Sequence, residues 1–288
     1  MSDYMFFMKS GLARLTDLDT KDWKNSFALL ENDQERFTCL APRFLSAEYA
    51  FPRDPLHTWS RCWEYPYIYS NIVAWADMTR TTDMLHVLDV GSGVTFIPFS
   101  LATQGIYVTC TDINTVTERD LNSAIKILPS APGRVDFKLM DGKHLPFKDD
   151  TIDGIYCISV LEHVSEYKTL ISEMARVLKS RGVLFLTFDL DLRGDHELGA
   201  ASYYDIKAEL RKFFEYLHPE ISTHPADMLI STDGPFGYAK KTNTLSKTWF
   251  MIKQRIIKPL LGRKPITEIP FYLAVEGLAL VKKEEKGT

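Results

Sequence analysis

The fold follows from the stretch His86-Val-Leu-Asp-Val-Gly-Ser-Gly-Val-Thr95. Its apolar run is typical of a buried parallel strand, and it delivers Asp89 and two glycines to the start of a helix. Gly91 and Gly93 let the backbone approach a ligand closely, and the exposed N–H groups of the next helix would face that ligand. The stretch therefore predicts a site for a nucleotide-like cofactor. A dinucleotide site would need a third glycine where Phe96 stands, which weighs against hydride transfer.

Strands and helices alternate from His86 onward, which predicts an α/β fold with a parallel sheet covered by helices on both faces. The predicted strands lie at 86–90, 106–111, 135–139, 154–158 and 183–188, and the run at 271–281 predicts a last strand. The predicted helices are one through Pro66 before the first strand, one at 168–179 ended by a left-handed Gly182, one from Ile206 through Leu217, and one at 249–260. Residues 218–247 form a loop-rich insert with room for a short strand.

Further acids follow the predicted strands. Asp112 ends the second strand about 20 residues after the first glycine, where a carboxylate would accept hydrogen bonds from a ribose diol. Asp141-Gly142 ends the third strand, although Asp-Gly is also a common turn. The segment Ser159-Val-Leu-Glu-His163 follows the fourth strand. These groups are expected at the carboxyl edge of the sheet, where open α/β folds bind their ligands.

The order of these motifs resembles the class I S-adenosylmethionine-dependent methyltransferases, in particular small-molecule and sugar O-methyltransferases. The matching elements are Asp-x-Gly-x-Gly, Asp112, Asp141-Gly142, Leu-Pro-Phe with a following Ile-Asp, and Leu-Glu-His, and they cover roughly positions 84 to 190. The resemblance implies S-adenosyl-L-methionine as cofactor. It also implies a Rossmann-like doubly wound sheet, mostly parallel with an antiparallel last strand, plus an N-terminal cap and a helical insert before that strand.

A chain of 288 residues with 45% hydrophobic content is expected to form one domain. Within residues 1–288, we expect an N-terminal cap at 1–80, a cofactor-binding core at 81–191, a substrate or lid insert at 192–270 and the final strand at 271–288.

The resemblance assigns a set of cofactor-binding residues: Asp89, Gly91, Ser92, Gly93, Asp112, Ile113, Asp141, Gly142, Ser159 and Arg61. Asp89 would orient the cationic amine of the methionine part, and Ile113 would pack on the adenine ring. Thr95 departs from the family pattern, which often has glycine there. An ordinary strand-to-helix turn is the alternative interpretation of this loop.

His163 is the predicted catalytic base, because imidazole is the side chain whose pKa suits proton acceptance near neutral pH. The alternative is a capping or buried histidine. The predicted substrate residues are Arg61, Trp63, Tyr65, Glu162, Lys240 and Lys241, with Arg61 suited to gripping a carboxylate bidentately. No metal site is predicted, since Ser159 stands where related quinone-pathway enzymes carry a further glutamate.

The residues from Pro235 to Ile266 include eight lysines and arginines and no acid, in a chain of net charge −4. Such asymmetry favours an anionic partner. The candidates are a small-molecule or glycan acceptor that is anionic, and a peripheral membrane contact through 247–264. A plain solvated helix is the alternative. No nucleic-acid partner is expected from the overall acidity.

Four cysteines without metal-ligand spacing and the lack of a signal or spanning segment predict a cytoplasmic protein, with the inner membrane face as a possible location. The combined hypothesis is O-methylation of a small or carbohydrate acceptor, for example an acidic sugar in surface polysaccharide synthesis. The alternatives are N- or C-methylation of a small molecule or quinone precursor, a catalytically silent binding module, and an NAD-dependent oxidoreductase.

Overall fold

The computed structural model describes residues 6–79, 83–140, 143–192, 198–237 and 273–284. Within these ranges, the strands are β1 Gly11–Leu12, β2 His86–Val90, β3 Tyr107–Asp112, β4 Arg134–Leu139, β5 Ile152–Ile158, β6 Leu178–Asp191, β7 Phe214–Tyr216 and β8 Leu273–Lys282. The α-helices are α1 Lys21–Leu40, α2 Arg61–Thr79, α3 Ile97–Thr103, α4 Thr115–Ile125, α5 Tyr167–Val177 and α6 Ala200–Phe213.

These strands form one sheet in the order β1-β8-β6-β5-β2-β3-β4, with β7 paired to β8. Strand β2 pairs in parallel with β3 and β5, β3 with β4, and β5 with β6. Strand β8 runs antiparallel to β6, from Val183 opposite Val281 to Asp191 opposite Leu273. The structure confirms the doubly wound, mostly parallel sheet with an antiparallel last strand.

The central position of β2 creates the ligand crevice. The chain moves from β2 to β3 on one side and returns through β5 on the other, so the carboxyl ends of β2 and β5 diverge at a topological switch point. Open α/β sheets bind ligands in such crevices. The sequence motifs after β2, β3 and β5 therefore meet at one edge.

Helices α1 and α2 form the cap. The hydroxyl of Thr20 caps α1 by accepting a hydrogen bond from the backbone N–H of Trp23. The indole of Trp23 then donates to the carbonyl of Cys62 at 2.9 Å, which joins the two helices. Helix α2 is buried all the way from Cys62 to Ile72 because α1 covers one side and the sheet the other.

Gly277 of β8 allows α2 to pack directly on the sheet. A Cβ atom there would stand 2.7 Å from the ring of Tyr67 and 2.8 Å from that of Trp63. The two rings stack at 4.5 Å between centroids and are fully buried. Neither ring can move without disturbing the helix, so the contact requires glycine.

Two sequence expectations about local structure are corrected. The left-handed residue after α5 is Arg181, with φ of 62°, whereas Gly182 is needed because a Cβ would lie 3.0 Å from the carbonyl oxygen of Asp153. Leu217 is not helical, since α6 ends at Phe213 and the Leu217 N–H donates to the carbonyl of Ala279 beyond β7. The short strand β7 lies just before the segment 218–247, and residues 238–247 of that segment lie outside the described residues.

The helix expected at 249–260 lies outside the described residues. In the described ranges, no helix combines the length and the apolar character needed to cross a membrane.

Replacing Gly277 by alanine should lower the free energy of unfolding by about 1–3 kcal/mol, because an added methyl overpacks a rigid core. Urea denaturation followed by circular dichroism measures the change. Leu139→Ala is the control: Leu139 is 40% exposed on edge strand β4, and its loss should cost at most about 0.5 kcal/mol. Equal stability of Gly277→Ala and the wild type would contradict the packing argument.

Candidate functional site

A cavity of about 660 Å³ lies at the carboxyl edge of β2, β3, β5 and β6. Its walls include Asp89, Gly91, Ser92, Gly93, Asp112, Ile113, Ser159, His163 and Asp189 from the strand ends. The covering wall comes from the segment between Tyr49 and Tyr65, including Phe51, Trp59 and Arg61. The structure thus brings most of the predicted site residues together.

The loop after β2 follows the backbone path that its glycines allow. Gly91 and Gly93 have φ of 74° and 54°, values that favour glycine. A Cβ on Gly91 would also stand 2.5 Å from the side chain of Val160, so this loop lies tightly against the loop after β5. Thr95 does not take a positive φ and lines the cavity with its side chain, so glycine is not needed there.

Tyr49 of the cap closes this loop, and sequence reasoning missed it. Its hydroxyl accepts a hydrogen bond from the Val94 N–H at 2.9 Å and donates to the Val94 carbonyl at 3.3 Å. Burial raises the pKa of Tyr49 to about 12, so the hydroxyl keeps its proton at neutral pH. The cap is therefore joined to the glycine loop.

Asp89 is a buried acid at the cavity wall. The hydroxyl of Tyr156 donates to its Oδ2 at 2.7 Å. Burial raises the pKa of Asp89 to about 8, although the hydrogen bond from Tyr156 opposes the shift. A cation brought into the cavity would favour the ionised carboxylate, so Asp89 is suited to binding an amine.

Asp112 stands at the end of β3 with a fixed orientation. Its Oδ2 accepts from the Gly93 N–H at 3.0 Å, and its Oδ1 accepts from the Asn114 N–H at 2.9 Å. Beside it, the side chain of Ile113 is 64% exposed and lines the cavity. A carboxylate next to an open apolar wall suits a ribose and a flat aromatic base. The predicted residues Asp141 and Gly142 lie outside the described part of the chain.

Ser159 holds a strained backbone conformation after β5. Its φ is 48°, in the left-handed region, which costs a non-glycine residue about 1–3 kcal/mol. The Ser159 N–H donates to the Thr187 carbonyl at 2.9 Å, and its hydroxyl donates to Glu64 at 2.7 Å and accepts from Arg61 at 2.8 Å. Such strain concentrates at functional sites.

Glu64 is the most buried acid of the site, and no sequence pattern indicated it. Its side chain has 0% exposure and forms an ion pair with Arg61 three residues earlier on α2. Its Oε1 also accepts from the Thr187 hydroxyl at 2.6 Å. The i,i+3 spacing of Arg61 and Glu64 is a pattern of ion pairs on a helix, but exposed pairs have the same spacing. The spacing therefore does not identify a buried pair.

Glu162 and His163 lie on a short 3₁₀ turn, Leu161–His163, and point differently. His163 is exposed and lines the cavity, as predicted for a base. Glu162 is not among the lining residues; its Oε1 accepts from the Asp189 N–H at 2.9 Å. Burial raises the pKa of Glu162 to about 7. Its predicted contact with substrate is therefore wrong, and the side chain instead supports the end of β6 at Asp189.

The predicted substrate contact of Trp63 is also wrong. Its indole N–H donates to the carboxylate of Asp17 at 2.9 Å, and its ring belongs to the core, so it does not line the cavity. Tyr65 and Arg61 do line it. The predicted substrate residues Lys240 and Lys241 fall outside the described residues. Within the described ranges, no three histidine, cysteine or acidic side chains are arranged to hold a metal ion.

A family model described as "Methyltransferase domain" matches residues 88–186, from β2 into β6. This segment is a methyltransferase domain of the class I S-adenosylmethionine-dependent type. Its cofactor is S-adenosylmethionine. The matched segment contains the glycine loop, Asp112 and the turn of His163, whereas the cap residues that close the cavity precede it.

The O-methyltransferase resE of Aspergillus sclerotiorum is 33% identical over 97 residues, which cover 33% of this chain and 36% of that protein. Across four curated relatives, the matching segments span only 24% to 39% of their length. Two solved structures share the fold of this chain. The [4+2]-cyclase SpnF has a TM-score of 0.57 at 19% identity, covering 88% of this chain and 97% of that one. A putative sarcosine dimethylglycine methyltransferase from Galdieria sulphuraria has a TM-score of 0.53 at 17% identity. The match covers 88% of this chain and 98% of that one.

Asp89 makes a pH dependence testable. With its pKa near 8, the free protein holds Asp89 protonated at neutral pH, and a cationic amine favours the ionised form. Binding of S-adenosylhomocysteine should therefore release about one proton near pH 7, and affinity should rise with pH until it levels off above about pH 8. Calorimetry in two buffers of different ionisation enthalpy counts the protons.

Asp89→Asn is the matched control. Binding of S-adenosylhomocysteine to this variant should release far less than one proton. Equal proton release by both proteins would show that Asp89 does not meet the amine.

Proposed function

We propose that this protein transfers the methyl group of S-adenosylmethionine to an oxygen of a small or carbohydrate acceptor. One observation carries the proposal: a single cavity joins the glycine loop, Asp89 and Asp112 to the exposed imidazole of His163. The first group of residues suits the cofactor, and His163 suits an acceptor hydroxyl.

The residues of the cavity fit the cofactor. Asp112 would accept from the ribose hydroxyls, Ile113 would cover the adenine, Asp89 would bind the amine and Arg61 the carboxylate. Each match is one of charge or polarity: the buried acid Asp89 meets a cation, and the guanidinium of Arg61 meets an anion. When bound, S-adenosylmethionine supplies an electrophilic methyl group on a sulfonium.

His163 would take the proton of the acceptor hydroxyl on one of its ring nitrogens. A hydroxyl oxygen is a weak nucleophile until its proton is removed, and general bases contribute about 10²- to 10⁴-fold to such reactions. The position of His163 on the turn after β5 leaves the imidazole exposed to the cavity. The cap over the same cavity excludes part of the surrounding water, which keeps the acceptor close to the base.

We also propose that the acceptor is anionic, for example an acidic sugar of a surface polysaccharide, and that the reaction takes place in the cytoplasm. The support for an anionic acceptor is the run of eight basic residues without an acid from Pro235 to Ile266. The support for a reducing compartment is that Cys39, Cys62, Cys110 and Cys157 are all free thiols.

The likeness to the [4+2]-cyclase SpnF favours a second candidate function. The name of that protein describes a cyclisation, and one fold can host different reactions. A cavity of this fold can therefore serve a reaction other than methyl transfer. Under that candidate, the chain binds the cofactor and holds a partner molecule without transferring the methyl group. N- or C-methylation uses the same cofactor residues and would differ in its need for His163.

His163→Ala should lower kcat by about 100-fold or more if His163 is the base, while leaving the affinity for S-adenosylhomocysteine unchanged. Labelled S-adenosylmethionine incubated with fractionated glycans, lipids, quinones and RNA identifies the acceptor and then provides the assay. Asp112→Ala is the contrasting variant: it should weaken S-adenosylhomocysteine binding by about 1–3 kcal/mol. Full turnover by His163→Ala would assign the base elsewhere, and transfer to no fraction would favour the silent module.

Replacing Lys253, Arg255 and Lys258 by glutamine should raise the KM for an anionic acceptor or reduce sedimentation with anionic vesicles. Exposed charges act over about 8 Å at physiological ionic strength, so added salt should weaken the same interaction. Calorimetry with S-adenosylhomocysteine should show no change. If neither KM nor vesicle binding responds to the substitutions or to salt, the basic segment is a solvated surface.

A further inference from the structure

We propose that Glu64 is a positioning residue, which fixes Arg61 and Ser159 so that the guanidinium can bind the carboxylate of the cofactor's methionine. The inference rests on the proposed function, because it assumes that the cavity holds S-adenosylmethionine. Glu64 lies outside the segment 88–186 shared with the family model.

The burial of Glu64 requires an explanation. A carboxylate without solvent exposure loses its hydration and is tolerated only when its oxygens find donors. Glu64 has three such donors from three elements: Arg61 of α2, Ser159 after β5 and Thr187 of β6. An apolar side chain would pack at lower cost, so stability alone does not account for the charge.

The pair with Glu64 leaves part of Arg61 available to a ligand. Within the described residues, the hydrogen bonds of this guanidinium all use Nη1, whose two N–H groups are shared among Ser60, Glu64 and Ser159. The side chain remains 24% exposed and lines the cavity. Nε and Nη2 therefore carry the donors that can meet a carboxylate, and the contacts on Nη1 hold the planar group in place.

Glu64 also holds the strained Ser159. The left-handed backbone of that residue persists only where its surroundings over-determine it. The hydroxyl of Ser159 is held between the carboxylate of Glu64 at 2.7 Å and the guanidinium of Arg61 at 2.8 Å. The buried carboxylate of Glu64 thus holds Arg61 of α2 and Ser159 after β5, which line the cavity from the cap and from the sheet.

The test compares two ligands that differ at the methionine end. S-adenosylhomocysteine has the amino-acid carboxylate, whereas 5′-methylthioadenosine has the nucleoside and lacks the amino acid. Glu64→Gln keeps the size of the side chain and an oxygen that can accept from Ser159 and Thr187, but it removes the charge that holds Arg61. The Kd for S-adenosylhomocysteine should rise about tenfold, and the Kd for 5′-methylthioadenosine should not change.

A double-mutant comparison shows whether Glu64 acts through Arg61. If it does, Glu64→Gln together with Arg61→Gln should weaken S-adenosylhomocysteine binding no more than Arg61→Gln alone. Glu173→Gln is the matched control, since Glu173 also pairs with an arginine three residues away, Arg176, but does not line the cavity. Both Kd values should stay unchanged in that variant.

Each outcome decides between the hypotheses. A wild type that binds neither ligand contradicts the proposed function itself. If the wild type binds both, equal weakening of the two ligands by Glu64→Gln, or no weakening, overturns the positioning role. Should Glu64→Gln fail to fold, Glu64→Met replaces the charge by an apolar side chain of similar volume, and the same selective loss of S-adenosylhomocysteine is expected.

Discussion

The site depends on how α2 is held against the sheet, and two buried carboxylates do this. Asp17 accepts a hydrogen bond from the indole of Trp63 and forms an ion pair with Lys9 at 2.6 Å. The next residue of the helix, Glu64, reaches the ends of β5 and β6 through Ser159 and Thr187. Because an unpaired buried charge is costly, a small rotation of α2 would break several of these contacts together. The helix therefore has one favoured position over the cavity.

Three acids at this edge of the sheet have different surroundings. Asp89 and Glu162 are removed from water, and burial raises their pKa values to about 8 and about 7. Asp112 instead accepts hydrogen bonds from two backbone N–H groups, which fix the orientation of its carboxylate. A ligand with a cationic amine and a ribose meets a protonatable acid at one place and a fixed acceptor at another. The site thus has one acid, Asp89, suited to the amine and another, Asp112, suited to the ribose hydroxyls.

Local sequence patterns predicted what local forces determine. Apolar runs located β2 and β5, and acids after the strands located Asp89 and Asp112, because a parallel sheet brings its strand ends to one edge. The errors concern long-range contacts. Glu64 lies 95 residues from Ser159 and 123 from Thr187, and no periodicity relates such positions. Trp63 stands in an aromatic-rich run that fits a binding wall equally well, and its complete burial, its stacking on Tyr67 and its hydrogen bond to Asp17 assign it to the core.

The shared and the individual parts of the cavity are encoded in different stretches of the chain. Segment 88–186, which matches the family model, carries the glycine loop, Asp112 and His163. Tyr49 and Arg61 precede that segment, yet they line the same cavity, and Glu64 contacts Arg61 and Ser159 there. The match to the family model therefore covers the cofactor cradle and does not reach the cover. Since the cover forms one wall of the cavity and lies outside the matched segment, similarity in the core indicates the cofactor and does not identify the acceptor.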